Sequence, residues 1–306
     1  MINGIINVHK EAGYTSHDVV AKLRGILRQK KIGHTGTLDP DATGVLPVCL
    51  GRGTKLCDML TDKDKTYEAV ILLGTTTDTQ DTSGTVLSTK EVTATEEEIR
   101  EAVLSFVGDY DQIPPMYSAL KVNGKKLYEL AREGIEIERK ARPVKILDIE
   151  IKEIDMNLHE VTMSVSCSKG TYIRTLCYDI GEKLGCGACM KKLTRTKVSR
   201  FGIEQSVTLS EIEKIRDEGR LEEYILPIDE VFAEYDAVYI KEEASKLLYN
   251  GNPFNARNIG RKETVSELTA KEKVVRVYDH AHTFIGVYRE ERPGYFKPVK
   301  MFYVKE

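Results

Sequence analysis

The chain has 306 residues, of which 41% are hydrophobic and 30% charged, a composition that excludes a largely disordered protein. Its length also exceeds that of a single small module, so we expect one large domain and a smaller one. The 45 basic and 48 acidic residues give a formal net charge of −3, which neither indicates nor excludes a nucleic-acid partner.

The cysteine content and the hydrophobicity indicate the compartment. Six cysteines are too few for a disulfide framework in a chain of this length, which fits a reducing environment. No stretch of 18 apolar residues is present, and the N-terminal residues lack the basic leader and apolar core of a signal peptide. We therefore expect a cytoplasmic protein that does not bind membranes.

The first elements are a short strand at Gly4–Val8 and a helix that Thr15 and Ser16 cap. One apolar stripe along this helix consists of Val19, Val20, Leu23, Ile26 and Leu27. Residues 31–48 follow, with three glycines, two prolines and three threonines among eighteen residues. This composition disfavours both a helix and a regular strand, so we expect a loop.

The middle of the chain mixes strands and helices without a regular βαβ alternation. Period-two patterns predict strands at 65–73 and 160–167. Thr95 and Glu98 form a capping box at the start of a helix that we expect to end at Gly108, and apolar residues from Ile173 to Leu184 have helical spacing. This order favours an α+β fold over a doubly wound one.

Residues 204–236 contain eleven acidic and three basic residues, which indicates a solvated helix and linker. We place the domain boundary near the end of this segment, giving domains at 1–232 and 233–306. Three short strands predicted beyond it make the second domain a small β-rich module: Val274–Tyr278, Phe284–Tyr288 and Phe296–Val304.

Positive charge is concentrated in three segments. Residues 21–31 and 183–200 contain five and six basic residues without an acidic one, and residues 121–145 contain eight against four. Any one of them has an ordinary solvated helix face as its alternative interpretation. Three of them beside glycine-rich loops indicate a protein that follows a phosphate backbone.

Asp39 is the candidate for chemistry. Pro40 restricts the backbone next to it, and the surrounding glycines allow close approach of a ligand. The alternative is a plain turn, since Asp before Pro is common there and Asp41 is adjacent.

Residues 33–48 resemble the signature loop of the tRNA pseudouridine-55 synthase family and read GHTGTLDPDATGVLPV. Later segments resemble the family's further motifs in the same order: DKTYEAVILLGTTTDTQDTSG, QIPPMYSALKVNGKKLYELAREG and CSKGTYIRTLCYDIGEKLGCGACMKKLTRT. The resemblance extends from about Gly4 to Phe201, and the C-terminal part is similar to the small PUA-like RNA-binding module of many members. One departure is Lys10-Glu11, where the family usually has Lys-Pro.

The resemblance implies a fold and an activity. The fold is a mixed, mostly antiparallel sheet flanked by helices, with a thumb-like insertion at about 113–143 and a PUA-like domain. The activity is isomerisation of the T-loop uridine of tRNA, with Asp39 as nucleophile toward either C1′ of the sugar or C6 of the base. Because nothing is oxidised or hydrolysed, no metal or redox cofactor is required. Arg174 matches the cation that keeps Asp39 ionised.

Three further residues match pocket positions of the family, Tyr67, Tyr172 and Leu193, and the residues themselves suggest His34 and Lys55 as two more substrate-binding candidates. Tyr67 and Tyr172 would line the uracil pocket, and Leu193 would exclude water. His34 would occupy the space left by the flipped nucleotide, and Lys55 would contact phosphate. The alternative interpretation of Tyr67 and Leu193 is that both are core residues. His34 has a structural or surface histidine as its alternative, and Lys55 a solvated lysine.

Three other functions compete with this interpretation. Cys186 and Cys189 have the spacing of zinc ligands, although a second ligand pair is missing from the pattern. The protein could be a tRNA-folding chaperone without isomerase activity, or a relative that depends on a guide RNA. The thumb-like insertion and the absence of long basic tails favour a stand-alone enzyme. We expect a monomer that binds tRNA without an obligatory protein partner.

Overall fold

The computed structural model describes residues 1–122, 124–264 and 273–304. Two large sheets account for most of the strands in these ranges. Residues 265–272, 305 and 306 of the predicted second domain, and Asn123 of the predicted insertion, lie outside the described residues.

The larger sheet and two short hairpins come from the first three quarters of the chain. Their strands are β1 (Gly4–Lys10), β2 (Ile32–His34), β3 (Thr43–Leu50), β4 (Lys65–Leu73), β5 (Thr75–Thr77), β6 (Val86–Thr89), β7 (Gly108–Gln112), β8 (Lys121–Val122), β9 (Lys125–Lys126), β10 (Arg142–Asp155), β11 (Glu160–Cys167), β12 (Ala188–Val198), β13 (Phe201–Gly202) and β14 (Ile225–Leu226). The predicted strands at 65–73 and 160–167 are confirmed as β4 and β11.

The larger sheet has the order β14–β1–β3–β12–β4–β11–β10–β7, with β2 paired to β3 and β13 paired to β12. Its neighbours are antiparallel except β3 and β12, which pair in parallel at Thr43 with Thr194 and at Gly44 with Arg195. The sheet is therefore mixed and mostly antiparallel, which confirms the predicted α+β class.

The helices pack on this sheet and on the smaller one. They are α1 (Ser16–Ile26), α2 (Cys57–Thr61), α3 (Glu96–Leu104), α4 (Leu127–Arg132), α5 (Ile173–Lys183), α6 (Leu209–Asp217) and α7 (Ser245–Tyr249). Thr15 and Thr95 cap α1 and α3 as predicted, each in a capping box. The apolar side of α5 is fully buried at Leu176 and Ile180, and burial of each such side chain contributes roughly 1.5–3 kcal/mol.

Two predictions for this part of the chain are wrong. Residues 31–48 are not one loop, because the segment contains β2 and most of β3. Pro47 is tolerated in β3 because it lies between the residues paired with β2 and those paired with β12, and its carbonyl oxygen accepts a hydrogen bond from Thr35 N at 3.2 Å. Helix α3 ends at Leu104 rather than at Gly108, and the Ser105 hydroxyl donates to a carbonyl of its last turn.

The smaller sheet comes from the C-terminal part of the chain. Its strands are β15 (Asp236–Ile240), β16 (Phe254–Asn255), β17 (Ile259–Glu263), β18 (Val274–Tyr278), β19 (Phe284–Arg292) and β20 (Tyr295–Met301), in the order β16–β20–β19–β18–β15–β17. The three predicted strands are confirmed as β18, β19 and β20. The boundary at 232/233 falls between β14 and β15 and stays a prediction.

The two sheets share an apolar cluster. Ile5 of β1 and Leu56, directly before α2, pack in the same cluster as Phe232, Val287 and Phe302. Because this contact is apolar and buried, the C-terminal sheet has a defined place beside the first one. Among the described residues, no helix combines the length and apolar character needed to span a membrane.

Residues 113–141 interrupt a pair of neighbouring strands. Strand β7 ends at Gln112, which is the cross-strand partner of Arg142, the first residue of β10. Between these two residues, α4 and the hairpin β8–β9 form a small core around Met116, Leu127 and Leu130. The intervening segment therefore projects from one end of the larger sheet.

Candidate active site

Asp39 lies in the loop 35–42, between β2 and β3. The hydroxyl oxygen of Ser16, at the start of α1, accepts a hydrogen bond from Leu38 N at 2.9 Å. Lys10 is fully buried, and its Nζ donates to two carbonyl oxygens of the loop, one of them at 2.9 Å. The backbone is thus held on both sides of Asp39, so the carboxylate has a defined position.

Arg195 of β12 supports the point where the same loop continues into β3. Its side chain is buried, and Nε donates to the carbonyl oxygen of Val45 at 2.7 Å. Gly44 has a φ of +102°, and a Cβ atom there would lie 2.2 Å from the Arg195 carbonyl oxygen. Glycine is therefore required where the loop enters β3.

Arg174, near the start of α5, forms an ion pair with Asp39. Its Nε lies 3.1 Å from Oδ2 of Asp39, and the arginine side chain is only 7% exposed. The other nitrogens donate to the carbonyl oxygens of Thr79 at 3.0 Å and Tyr117 at 2.8 Å, and Asp81 lies 3.5 Å away. Arg174 thus joins the Asp39 loop, the loop after β5 and the segment that follows β7.

The electrostatic environment of Asp39 is balanced between opposing effects. Burial raises the pKa of the Asp39 carboxyl, the Arg174 guanidinium lowers it, and the nearby Asp81 carboxylate raises it again. The side chain is still 42% exposed, so a ligand can reach it. Asp39 is therefore a carboxylate whose ionised form depends on a specific cation.

Tyr67 and Tyr172 both lie near this carboxylate. Burial raises the pKa of each phenol, and the negative charge of Asp39 raises both further. Tyr67 is on β4, and its cross-strand partner on β12 is Arg195, whose positive charge acts against the rise of the Tyr67 pKa. Tyr172 is the N-cap residue of α5. The structure therefore brings Tyr67, Tyr172 and Arg174 together around Asp39.

Leu193 and His34 lie on strands that border the loop. Leu193 of β12 is buried in the cluster that contains Leu38 and Tyr67. His34 ends β2, and its Nδ1 accepts a hydrogen bond from Gly36 N at 3.3 Å. Burial, followed by the charge of a neighbouring histidine, lowers the His34 pKa, so the ring is neutral at pH 7.

Lys55 is not brought into the group around Asp39. Its Nζ donates to the carbonyl oxygen of Met301 at 2.8 Å, and this hydrogen bond connects the segment between β3 and α2 to β20. Burial lowers the Lys55 pKa, and the nearby cations Lys31, Lys300 and Arg52 lower it further. The predicted phosphate contact of Lys55 stays a prediction.

Three residues of the site were not recognised in the sequence: Lys10, Asp81 and Arg195. In the sequence, Lys10 is distinguished only by the Glu11 that follows it, and Asp81 only as part of a motif. Arg195 was counted among the basic residues expected to follow a phosphate backbone, and this interpretation is wrong because the side chain is buried under the Asp39 loop. Burial was the missing information for Lys10 and Arg195, and for Asp81 it was the approach of Arg174, which is distant in sequence.

The zinc alternative was also compared with the structure. Cys186 and Cys189 are buried, and neither forms a disulfide. In the ranges that the structure describes, no group of three or more His, Cys, Asp and Glu side chains is arranged to hold a metal ion. Within the part of the chain that the structure describes, the cysteine pair therefore has no further ligands of the kind that a structural zinc site needs.

Family models and curated relatives match most of this chain. Residues 24–173 match the family model described as TruB family pseudouridylate synthase (N terminal domain), and residues 174–233 match the tRNA pseudouridylate synthase B C-terminal domain. A tRNA pseudouridine synthase B from Lachnoclostridium phytofermentans is 56% identical over 98% of this chain and 100% of the relative. One from Alkaliphilus oremlandii is 46% identical over 100% of both chains.

Solved structures show the same similarity. The protein aligned from a Cbf5–Nop10–Gar1 complex has a TM-score of 0.71 and 27% identity, and the alignment covers 98% of this chain and 85% of that one. A chain from an archaeal box H/ACA sRNP Nop10–Cbf5 complex gives a TM-score of 0.70 at 27% identity, over 98% of this chain and 86% of that one. The resemblance noted in the sequence is confirmed.

Proposed function

The chain belongs to the TruB family of pseudouridylate synthases and is therefore an isomerase that forms pseudouridine in tRNA, and we propose that its target is the T-loop uridine at position 55. The observation that carries this proposal is the Asp39–Arg174 ion pair, with Tyr67 and Tyr172 beside it. These four side chains supply a nucleophile, a cation to keep it ionised, and aromatic groups for a base.

The reaction determines what the site has to provide. The glycosidic C–N bond breaks, the base turns, and a C–C bond forms between the same two partners. Atoms and oxidation state are conserved, so the chemistry itself requires neither a redox cofactor nor a metal ion. We assign the role of nucleophile to Asp39, acting in its ionised form on C1′ or C6.

The other side chains have distinct proposed roles. Arg174 keeps Asp39 ionised and oriented, and Leu193 excludes water from the reacting atoms. Tyr67 and Tyr172 contact the uracil, and proton transfer is the further role that we assign to Tyr67. His34 stacks in the space that the flipped nucleotide leaves, and a neutral ring suits stacking. Lys55 contacts phosphate when RNA is bound.

Two parts of the chain are proposed to hold the tRNA. The insertion at about 113–143 carries exposed basic residues and projects from the sheet beside Arg174. The domain at 233–306 is proposed as a PUA-like RNA-binding module. We propose a stand-alone monomer that works in the cytoplasm and needs no protein partner, unlike the complexes in which its structural neighbours were solved.

A pH profile follows from the Asp39 environment. The reaction needs ionised Asp39, and burial raises the Asp39 pKa, so we expect kcat to fall as pH decreases through a value higher than that of an ordinary aspartate. Single-turnover rates at saturating tRNA, measured from about pH 4 to pH 8, test this expectation. A rate that stays constant down to about pH 4 would contradict it.

The proposed function is tested with pure, EDTA-treated protein and an unmodified tRNA transcript. Carbodiimide mapping should locate one new pseudouridine at the T-loop uridine. A pseudouridine only elsewhere would refute the assigned target, and activity that returned only after a metal was added would refute metal-free chemistry. If tRNA is bound and no pseudouridine forms, the catalytic assignments are refuted and the folding-chaperone alternative becomes the leading interpretation.

A further inference from the structure

Gln112 makes a pair of hydrogen bonds that the catalytic assignments above do not use. Its Oε1 accepts from Tyr172 N at 2.7 Å, and its Nε2 donates to the Tyr172 carbonyl oxygen at 3.0 Å. Gln112 is only 1% exposed. One buried side chain thus fixes both backbone polar groups of a single residue, as a paired strand would.

These hydrogen bonds act at the point where α5 begins. Tyr172 is the N-cap residue of α5, and its own side chain does not cap the helix. Arg174 follows two residues later and reaches Asp39 from the first turn. A shift of the N-cap backbone would therefore move the Arg174 guanidinium relative to the carboxylate.

Gln112 also stands where the insertion leaves the sheet. It is the last residue of β7 and pairs with Arg142, where the chain returns. Tyr117, a few residues beyond Gln112, accepts a hydrogen bond from Arg174 through its carbonyl oxygen at 2.8 Å. The base of the insertion and the start of α5 are therefore connected at Tyr172 and at Arg174.

We propose that Gln112 is a positioning residue, which holds the start of α5 so that Arg174 stays aligned with Asp39 and in register with the base of the insertion. This inference rests on the proposed function, because its main readout is pseudouridine formation. Gln112 touches neither Asp39 nor, on this proposal, the nucleotide. It acts through Tyr172 and Arg174.

The chain offers a closely matched control. Gln29 is 8% exposed and makes the same reciprocal hydrogen bonds, to Ile2 N at 2.8 Å and to the Ile2 carbonyl oxygen at 2.9 Å. Methionine has nearly the shape of glutamine but cannot make these bonds. Gln112→Met and Gln29→Met therefore each remove one reciprocal pair, at the start of α5 and at Ile2, and Gln29→Met also removes a longer hydrogen bond to the Lys31 carbonyl oxygen at 3.4 Å.

We expect Gln112→Met to lower kcat about 10- to 100-fold with less than about a threefold change in KM, because misplacing a catalytic contact by about 1 Å can cost that much. Gln29→Met should keep wild-type kcat, whatever it does to the melting temperature. The wild-type rate is measured first in the same assay. An inactive wild type would refute the proposed function, whereas an active wild type matched by Gln112→Met would refute only the role of Gln112.

The pH profile separates positioning from a general loss of structure. Asp39 is surrounded by the charges of Arg174, Asp81, Lys10 and Asp41. If Arg174 moves away in Gln112→Met, the acidic limb of kcat should shift to higher pH. A lower kcat with the acidic limb unchanged would show that Arg174 keeps its place beside Asp39 and would overturn the proposal.

A double variant provides an independent readout. If Gln112 acts through Arg174, adding Gln112→Met to Arg174→Lys should lower kcat by less than about threefold beyond Arg174→Lys alone. Fully multiplicative losses would overturn the proposal. Should Gln112→Met fail to fold, Gln112→Asn, which adds no charge and is one methylene too short to keep both hydrogen bonds to Tyr172, replaces it in both measurements with the same criteria.

Discussion

Asp39→Asn is expected to lower the rate of pseudouridine formation by on the order of 10⁴-fold or more while tRNA affinity changes less than about threefold. Asparagine has the shape of aspartate and keeps the loop contacts, which involve the backbone and the buried Ser16 and Lys10. It cannot supply the negative charge of a nucleophile. Carbodiimide mapping measures the reaction, and filter binding of the same transcript measures the affinity.

Asp41→Asn is the matched control for this prediction, because it makes the same chemical change two residues away at an exposed position. We expect it to stay within about threefold of the wild-type rate. Because burial raises the Asp39 pKa, ionisation of Asp39 opposes folding, so Asp39→Asn should not lower the melting temperature at pH 7. Equal loss of activity in both variants, or pseudouridine formed by Asp39→Asn, would refute the nucleophile assignment.

Arg174→Met is expected to lower the rate at pH 7 by about 10²-fold. The change leaves Asp39 and Asp81 close together without their shared cation, so the Asp39 pKa rises further and a smaller fraction is ionised. Removing one preorganised group that stabilises charge lowers the rate by roughly 10²- to 10³-fold. Since 42% of the Asp39 side chain is accessible to water, we expect a rate loss at the lower end of this range. Stopped-time assays at saturating tRNA measure the loss.

Two comparisons make the Arg174 prediction specific. Part of the lost activity should return as the pH is raised above 7, and Arg174→Lys should lie between Arg174→Met and the wild type, since lysine restores the charge without the geometry. Arg100→Met, which breaks an exposed ion pair with Glu96 on α3, should have no effect. A loss that is the same at every pH would mean that Arg174 does not act on the ionisation of Asp39.

Strands and helices with clear periodicity could be predicted from the sequence, whereas β3 could not. The alternation in β4 and β11 matches one buried face, and the capping boxes at Thr15 and Thr95 mark helix starts through local chemistry. β3 is buried along nearly its whole length and contains a glycine and a proline. Only its pairing with strands distant in sequence makes it regular, and a local pattern does not contain that pairing.

The family resemblance identifies the catalytic candidates in the sequence. It does not identify Lys10 and Arg195, which hold the Asp39 loop, and the reason is physical. A buried lysine or arginine has the same letter as a solvated one, and Lys10 and Arg195 are almost completely buried. What distinguishes them is the set of carbonyl oxygens that the fold brings to their nitrogens. Gln112 was missed for the same reason, since its partner Tyr172 is sixty residues away in the sequence.

The adjacency of Gln112 and Arg142 in the sheet has a consequence for how this scaffold can vary. The two ends of the 113–141 segment are as close as the ends of a short hairpin turn. The entropy cost of closing a loop grows only with the logarithm of its length. Closing a loop of about 30 residues therefore costs roughly 2 kcal/mol more than closing a hairpin turn of about four residues. The part of the segment beyond Tyr117 can therefore be lengthened, shortened or exchanged at little cost in loop-closure entropy, so the surface proposed to bind RNA can vary as long as the Tyr117 carbonyl oxygen still accepts from Arg174.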